Sequence, residues 1–221
     1  MIPIIGSQDD KIMSTGNDII ALAETDEDKT SRYRFYSRIL WPGELSGFAA
    51  TGLSFSTFVW LLWSIKESVY KYVSRSNPQL VFAPLKIPVN GLTFQEDYYK
   101  GIICYGGLNL FSRSFLRDDS IMTIVNAGED FNSVRWGVRA IGDSSYPTQS
   151  AGVRTFALQS LSADLPGAAL RIIKAPDGPP EVWDGERLLD IPLSLAHHGR
   201  FVAWSYRLPG NSSSYRKSAA N

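Results

Sequence analysis

The sequence is short of the residues that most often carry chemistry in a small protein. Among 221 residues it has one cysteine, Cys104, and two histidines, His197 and His198. A single cysteine excludes an intrachain disulfide framework and a zinc site built from several cysteines. Lys and Arg together number 22, as do Asp and Glu, so the formal net charge is zero. That balance argues against a strongly basic nucleic-acid-binding protein.

The familiar catalytic motifs are missing as well. The sequence has no glycine-rich phosphate loop, no HExxH helix and no GxSxG turn. Its most apolar stretch, residues 55–65, is far shorter than the roughly 20 residues that cross a bilayer, and the start of the chain lacks the basic segment of a secretory signal. We therefore expect a protein that is not an enzyme, with no catalytic residue, no metal, no cofactor and no membrane contact.

The few reactive side chains have ordinary interpretations. His197 and His198 fall at a predicted turn, and adjacent residues of an extended segment point opposite ways, so they cannot easily bind one metal together. Cys104 lies in an apolar segment, where thiols usually serve as inert packing residues. Three acidic pairs in predicted loops are expected to be solvated: Asp9-Asp10, Glu96-Asp97 and Asp118-Asp119. A hydrolase that uses Cys104 or His197 remains a distant alternative.

Alternating apolar and polar residues dominate the middle of the chain and predict β-strands. The segments are 31–41, 101–113, 120–126, 134–141, 153–160, 168–174, 187–194 and 200–207. Turn-forming residues separate them, and Gly106-Gly107 predicts a bulge or a close backbone approach. About eight strands with short connections indicate an all-β sandwich, barrel or jelly roll.

One segment, residues 57–75, instead shows helical spacing. Trp60, Trp63 and Tyr70 lie on the side opposite its main apolar face, so the helix is apolar nearly all round. Such a helix needs cover on two sides, and we expect another subunit to supply the second. The alternative is a buried strand over 55–62 followed by a short helix.

The two ends carry opposite charge. Residues 1–29 have a net charge of −5, whereas residues 200–221 have +4 and no acid. This pattern predicts an extended acidic arm over 1–30, a folded domain over 31–208 and a flexible basic tail over 209–221. Ends of opposite sign can contact neighbouring copies.

Two stretches resemble capsid proteins of picorna-like RNA viruses of the dicistrovirus and iflavirus type. They are the segment Tyr98-Tyr99-Lys100-Gly101-Ile102, followed by the apolar run 120–128, and the late segment 186–201, in which Leu193-Ser194-Leu195 replaces an aromatic pair of that family's pattern. The resemblance implies an eight-stranded jelly roll with one inserted helix and extended termini. It also implies a structural protein that assembles with homologous chains into an icosahedral shell around RNA.

This interpretation sets the predicted partners and site. The partners are other capsid chains, with a weak contact to RNA and none to a membrane, and the location is the virion, assembled in the host cytoplasm. The predicted subunit-interface residues are Trp41, Trp60, Trp63, Tyr70, Arg216 and Lys217, because aromatic side chains are favoured anchors. The alternative is a β-sandwich that binds carbohydrate, with Trp183 or Trp204 as the stacking platform.

Overall fold

The fold mixes helices with several small sheets. The computed structural model describes residues 14–117, 119–175 and 178–208. Within them, helices hold 33% of the residues and strands 37%. The prediction of an all-β, eight-stranded jelly roll is therefore wrong.

The described residues contain eleven strands in three antiparallel sheets. The strands are β1 (Gly16–Ala21), β2 (Val89–Gln95), β3 (Tyr98–Tyr105), β4 (Leu108–Arg117), β5 (Ser120–Asn126), β6 (Val134–Ala140), β7 (Leu170–Lys174), β8 (Pro180–Asp184), β9 (Arg187–Leu189), β10 (Leu193–His198) and β11 (Phe201–Arg207). Their orders are β1-β5-β4-β3-β2, β10-β11-β6 and β7-β8-β9. Gly106 and Gly107, with φ of 59° and 82°, form the two-residue turn between β3 and β4 rather than a bulge.

Four α-helices accompany the sheets. They are α1 (Glu27–Thr30), α2 (Tyr33–Tyr36), α3 (Phe55–Ser74) and α4 (Tyr146–Asp164). The helix expected at 57–75 is thus present as α3, whose N-terminus Ser54 caps by accepting a hydrogen bond from the Thr57 amide at 3.2 Å. No helix among the described residues is long and apolar enough to cross a membrane.

Two segments that we predicted as strands are helical. Within 31–41 lies α2, which follows directly on α1. The Asp26 carboxylate starts α1 by accepting the Lys29 amide at 2.8 Å. Residues 153–160 lie inside α4, where Val153, Ala157 and Leu161 recur every fourth residue and are buried. The strand prediction failed there because small and polar residues between these positions hide the helical stripe.

The layers are stacked in the order α3, five-stranded sheet, three-stranded sheet, α4. Alternate residues of β1 show this arrangement: Ile20 packs in the core beneath α3, whereas Ile19 and Ala21 pack against Ala196 and Ala203 of the three-stranded sheet. All of β1 is buried as a result. The opposite face of the three-stranded sheet contacts α4.

Side chains, rather than a backbone ladder, join β1 to β10. The Asn17 amide donates to Ser194 Oγ at 3.1 Å, and the Ala21 amide donates to His198 Nδ1 at 2.9 Å. Because donors four residues apart meet acceptors four residues apart, the two strands run side by side in the same direction. This seam lies where the two sheets meet. Residues 16–21, which we assigned to an extended arm, thus form a central strand.

The side of α3 away from the sheet carries an aromatic row made by the same chain. Its successive ring centroids lie 5.2–6.1 Å apart: Phe35, Trp60, Trp63, Phe82 and Tyr70. Trp60, Trp63 and Tyr70 are half-buried, whereas Trp41 is 50% exposed. A role of these four residues at a subunit interface stays a prediction. The other two predicted interface residues, Arg216 and Lys217, lie outside the described residues, as do 1–13 and 209–221.

Candidate active site

A close approach between β1 and α3 builds the site. Gly16 lies against the helix backbone, and a Cβ there would overlap the Ser68 carbonyl oxygen and lie 2.9 Å from the Tyr72 amide nitrogen. Glycine is therefore required for the strand to lie this close to the helix. Because side chains alternate along a strand, the next residue that faces α3 is Asp18. The packing of Gly16 thus sets the position of Asp18.

Three charged side chains meet at this point. Lys71 Nζ lies 3.2 Å from Asp18 Oδ1 and 3.2 Å from Glu67 Oε1. Glu67 and Lys71 are four residues apart on α3 and so share a face of the helix. The Asp18 side chain is 6% exposed, but those of Lys71 and Glu67 keep 23% and 28%. The cluster is therefore anchored in the core and open to solvent on one side.

Burial sets the protonation of the cluster. It raises the pKa of Asp18 to about 7, even though the neighbouring Lys71 favours the ionised form. Burial alone would lower the pKa of Lys71, but the carboxylates of Asp18 and Glu67 outweigh it and raise that pKa above its ordinary value. Lys71 is therefore a cation at neutral pH, while Asp18 exchanges its proton near pH 7.

One oxygen of Asp18 lacks a partner. Among the described residues, Oδ2 is buried and has no hydrogen-bond donor. A buried, unpaired carboxylate oxygen is costly unless a cation or donor reaches it. Mg²⁺ is commonly held by one or two carboxylates together with substrate phosphates. Asp18 and Glu67 fit that role, and because no group of three or more metal-binding residues occurs in the described part of the chain, a phosphate ligand must complete the shell.

A pocket of about 260 Å³ opens beside this cluster. The C-terminal half of α3 forms one wall with Tyr70, Lys71, Ser74 and Arg75, and residues 193–195 of β10 form another. Residues 178–180 close a third side. The pocket therefore places two cationic side chains next to paired carboxylates, an arrangement that suits a ligand with several phosphates.

The two histidines have different places. His198 is tied to β1 through its Nδ1. The ring of His197 faces Tyr146 at the start of α4, with centroids 5.5 Å apart. Burial, followed by the nearby positive charge of Lys71, lowers the pKa of His197 below its ordinary value. His197 is thus a neutral imidazole at neutral pH, within electrostatic reach of the cluster.

Lys66, one residue before Glu67, serves the fold instead. Its Nζ lies 2.7 Å from Glu44 Oε2 and 2.7 Å from the Ile39 carbonyl oxygen, and both charged side chains are sealed from solvent. Glu44 also accepts the amides of Trp41 and Val89. This pair therefore fastens the loop after α2 and the start of β2 to α3.

The cluster of Asp18, Glu67 and Lys71 was missed by the sequence reasoning. Asp18 was counted among the solvated acids of the N-terminal segment, and Glu67 with Lys71 was a stabilising helix pair. A usable signal was present, because a carboxylate between apolar strand residues and charges on an otherwise apolar helix both need partners. Cys104, expected to be buried, is exposed on β3, and β5 and β4 separate that strand from β1.

Comparison with known proteins overturns the interpretation as a viral capsid protein. No curated protein and no solved structure matches the chain. A family model does match, and it describes enzymes, so the predictions of a shell protein, of capsid and RNA partners, of a carbohydrate-binding module and of a chain without enzyme activity are wrong. The matched stretch, residues 14–117, contains β1 and α3 with Asp18, Glu67 and Lys71, and the family is the 4'-phosphopantetheinyl transferase superfamily (ACPS).

Proposed function

We propose that this protein is a 4'-phosphopantetheinyl transferase, which moves the 4'-phosphopantetheine group of CoA onto a hydroxyl group of a carrier protein. The observation that carries the proposal is a coincidence of two independent findings. The stretch that matches the transferase family holds Asp18, Glu67 and Lys71, and the structure gathers these residues beside a pocket with two cationic side chains.

The reaction has a simple balance of bonds. The acceptor oxygen attacks the phosphorus on the pantetheine side of the CoA pyrophosphate and forms a new P–O bond. The bond from that phosphorus to the bridging oxygen breaks, and adenosine 3',5'-bisphosphate leaves. The acceptor hydroxyl loses its proton. Catalysis of such a transfer depends on positioning the two groups and on stabilising the charge that develops on the phosphate oxygens.

The cluster supplies both requirements. Asp18 and Glu67 would hold Mg²⁺, which when bound neutralises charge on the pyrophosphate and on the leaving phosphate. Lys71 donates to the pyrophosphate oxygens with a charge that Asp18 and Glu67 keep in place. Glu67 is the most exposed member of the cluster, so its second oxygen accepts the proton of the incoming hydroxyl. His197, neutral at neutral pH, donates an N–H to a phosphate oxygen at the rim.

The test is a transfer assay read by mass spectrometry. Purified protein is incubated with CoA and either an acyl or a peptidyl carrier protein, with Mg²⁺ or with a chelator. We expect one carrier to gain the mass of a single 4'-phosphopantetheine group only when Mg²⁺ is present. Glu67→Gln should reduce the rate at least about 100-fold, as expected for loss of a group that acts in the transition state.

Glu96→Gln is the matched control, because Glu96 is exposed and lies in the turn between β2 and β3. It should transfer at the wild-type rate. A wild-type protein that binds no CoA and modifies neither carrier would overturn the proposal, as would a Glu67→Gln variant with full activity.

A further inference from the structure

The pocket beside the cluster contains a second cation that the transfer step does not use. Arg75 caps the C-terminus of α3 and lines the same pocket as Lys71. Four residues separate the two, which places them on one face of the helix and about 6 Å apart along its axis. Among the residues that line the pocket, these two are the cations; the others are small, apolar or hydroxyl-bearing.

The position of Arg75 is fixed from both sides. Its Nη2 donates to the Leu193 carbonyl oxygen at 2.6 Å, which ties the guanidinium to β10 across the pocket. The negative end of the helix dipole favours a cation at this place. The carboxylates of Asp190 and Glu181 attract it from a longer range. A guanidinium has five N–H donors in a planar fork, so most remain for a ligand after the bond to Leu193.

The spacing of the two cations matches the charge distribution of CoA. Its nucleotide carries the pyrophosphate on the 5' carbon and a single phosphate on the 3' carbon of the same ribose. The pyrophosphate must lie at Lys71, because the paired carboxylates and the reacting phosphorus are there. A ribose that extends from this point along α3 brings its second phosphate toward the next turn of the helix.

We infer that Arg75 binds the 3'-phosphate of CoA and makes the enzyme select CoA over dephospho-CoA, which lacks that group. The inference rests on the proposed function and adds to it the residue that determines donor specificity. Arg75 touches neither the reacting phosphorus nor the acceptor. Its loss therefore acts on donor binding and leaves the transfer step itself in place.

The experiment measures transfer rates with both donors. Wild-type protein should use CoA with a kcat/KM about 10- to 100-fold above that for dephospho-CoA, the range expected for a hydrogen bond to a charged group. Arg75→Gln should raise KM for CoA by a similar factor, leave kcat within about twofold, and leave both constants for dephospho-CoA nearly unchanged. Arg75→Lys should restore part of the preference. Arg171→Gln is the control, because Arg171 is an exposed arginine on β7 that pairs with Glu186.

A merely structural role of Arg75 gives a different result. If its bond to Leu193 only shapes the pocket, Arg75→Gln lowers kcat/KM for both donors equally, and the inference is wrong. Titration of adenosine 3',5'-bisphosphate and of AMP, without a carrier protein, separates the two proposals. Tight CoA binding with no loss of discrimination in the variant overturns the role of Arg75 alone, whereas wild-type protein that neither binds nor uses CoA overturns both.

Discussion

Helix α3 carries two lysines five residues apart, and their surroundings differ in nearly every respect. Lys66 is sealed in the core, 2.7 Å from Glu44, and its charge is met by a carboxylate and a backbone carbonyl. Lys71 lies between two carboxylates at 3.2 Å each, remains partly exposed, and borders an Asp18 oxygen without a partner. A fully satisfied ion pair holds elements together, whereas an incompletely satisfied one at a pocket is suited to bind a ligand.

The largest expected effect separates the two lysines by stability. Lys66→Met should lower the free energy of unfolding by about 3–5 kcal/mol, because it leaves the buried Glu44 without its cation. Lys71→Met should cost only about 1 kcal/mol, since Asp18, whose pKa is about 7, can take up a proton when the cation is lost. Urea unfolding at pH 7 measures both.

Activity should show the reverse order. Lys71→Met is expected to abolish transfer in a folded protein, whereas any Lys66→Met protein that remains folded should retain transfer. Equal losses of stability in the two variants would contradict the division of roles.

A smaller effect concerns the packing that positions Asp18. Gly16→Ala should lower the free energy of unfolding by about 1–3 kcal/mol, because the added methyl group meets the Ser68 carbonyl oxygen and the helix must shift. The displacement moves Asp18 away from Lys71 and should also reduce activity. Gly142→Ala is the control, since a Cβ there has no atom within 4 Å. Thermal unfolding and the transfer assay together measure the result, and a wild-type Tm for Gly16→Ala would show that β1 does not lie this close to α3.

The smallest expected effect has the opposite sign. The pKa of Asp18 is raised from 3.8 to about 7 in the fold, so the folded state binds a proton more readily than the unfolded state between these values. The contribution of Asp18 to stability is then greatest below pH 4 and is lost as the pH rises through 7. Asp18→Asn removes this dependence and should therefore raise Tm by a few degrees at pH 8 and hardly at all at pH 4, while abolishing transfer.

Added Mg²⁺ sharpens the same test. It should raise the Tm of the wild-type protein above pH 7, where Asp18 is ionised, and leave that of Asp18→Asn unchanged. A destabilised Asp18→Asn variant at pH 8 would contradict the description of Asp18 as a strained, buried carboxylate.

Part of the fold could be predicted from the sequence. The spacing of Phe58, Leu61, Leu62 and Ile65 predicts α3, and the alternation in 101–126 predicts the hairpins of the five-stranded sheet. The jelly roll was wrong because the order of strands along a chain does not determine which edges pair. The resemblance to capsid proteins depended on the same strand and turn spacing, which unrelated sheets share.

The site could not be predicted for a different reason. Asp18 is 49 residues before Glu67 and 53 before Lys71, and its importance comes from burial, which a list of acidic residues does not show. The close approach at Gly16 depends on the tertiary packing of a strand on a helix. The pocket also uses Leu193 and its neighbours, which are still farther along the chain and meet α3 only through the seam.

The seam between β1 and β10 fixes the alignment of the two parts of the pocket. A backbone ladder can shift by two residues and form the same set of hydrogen bonds again. Here the acceptors are two individual side chains, Ser194 and His198, and a shift would offer the β1 amides a leucine and an arginine-flanked turn instead. The identity of two residues thus acts as a registration key that keeps the wall from β10 opposite Lys71 and Arg75.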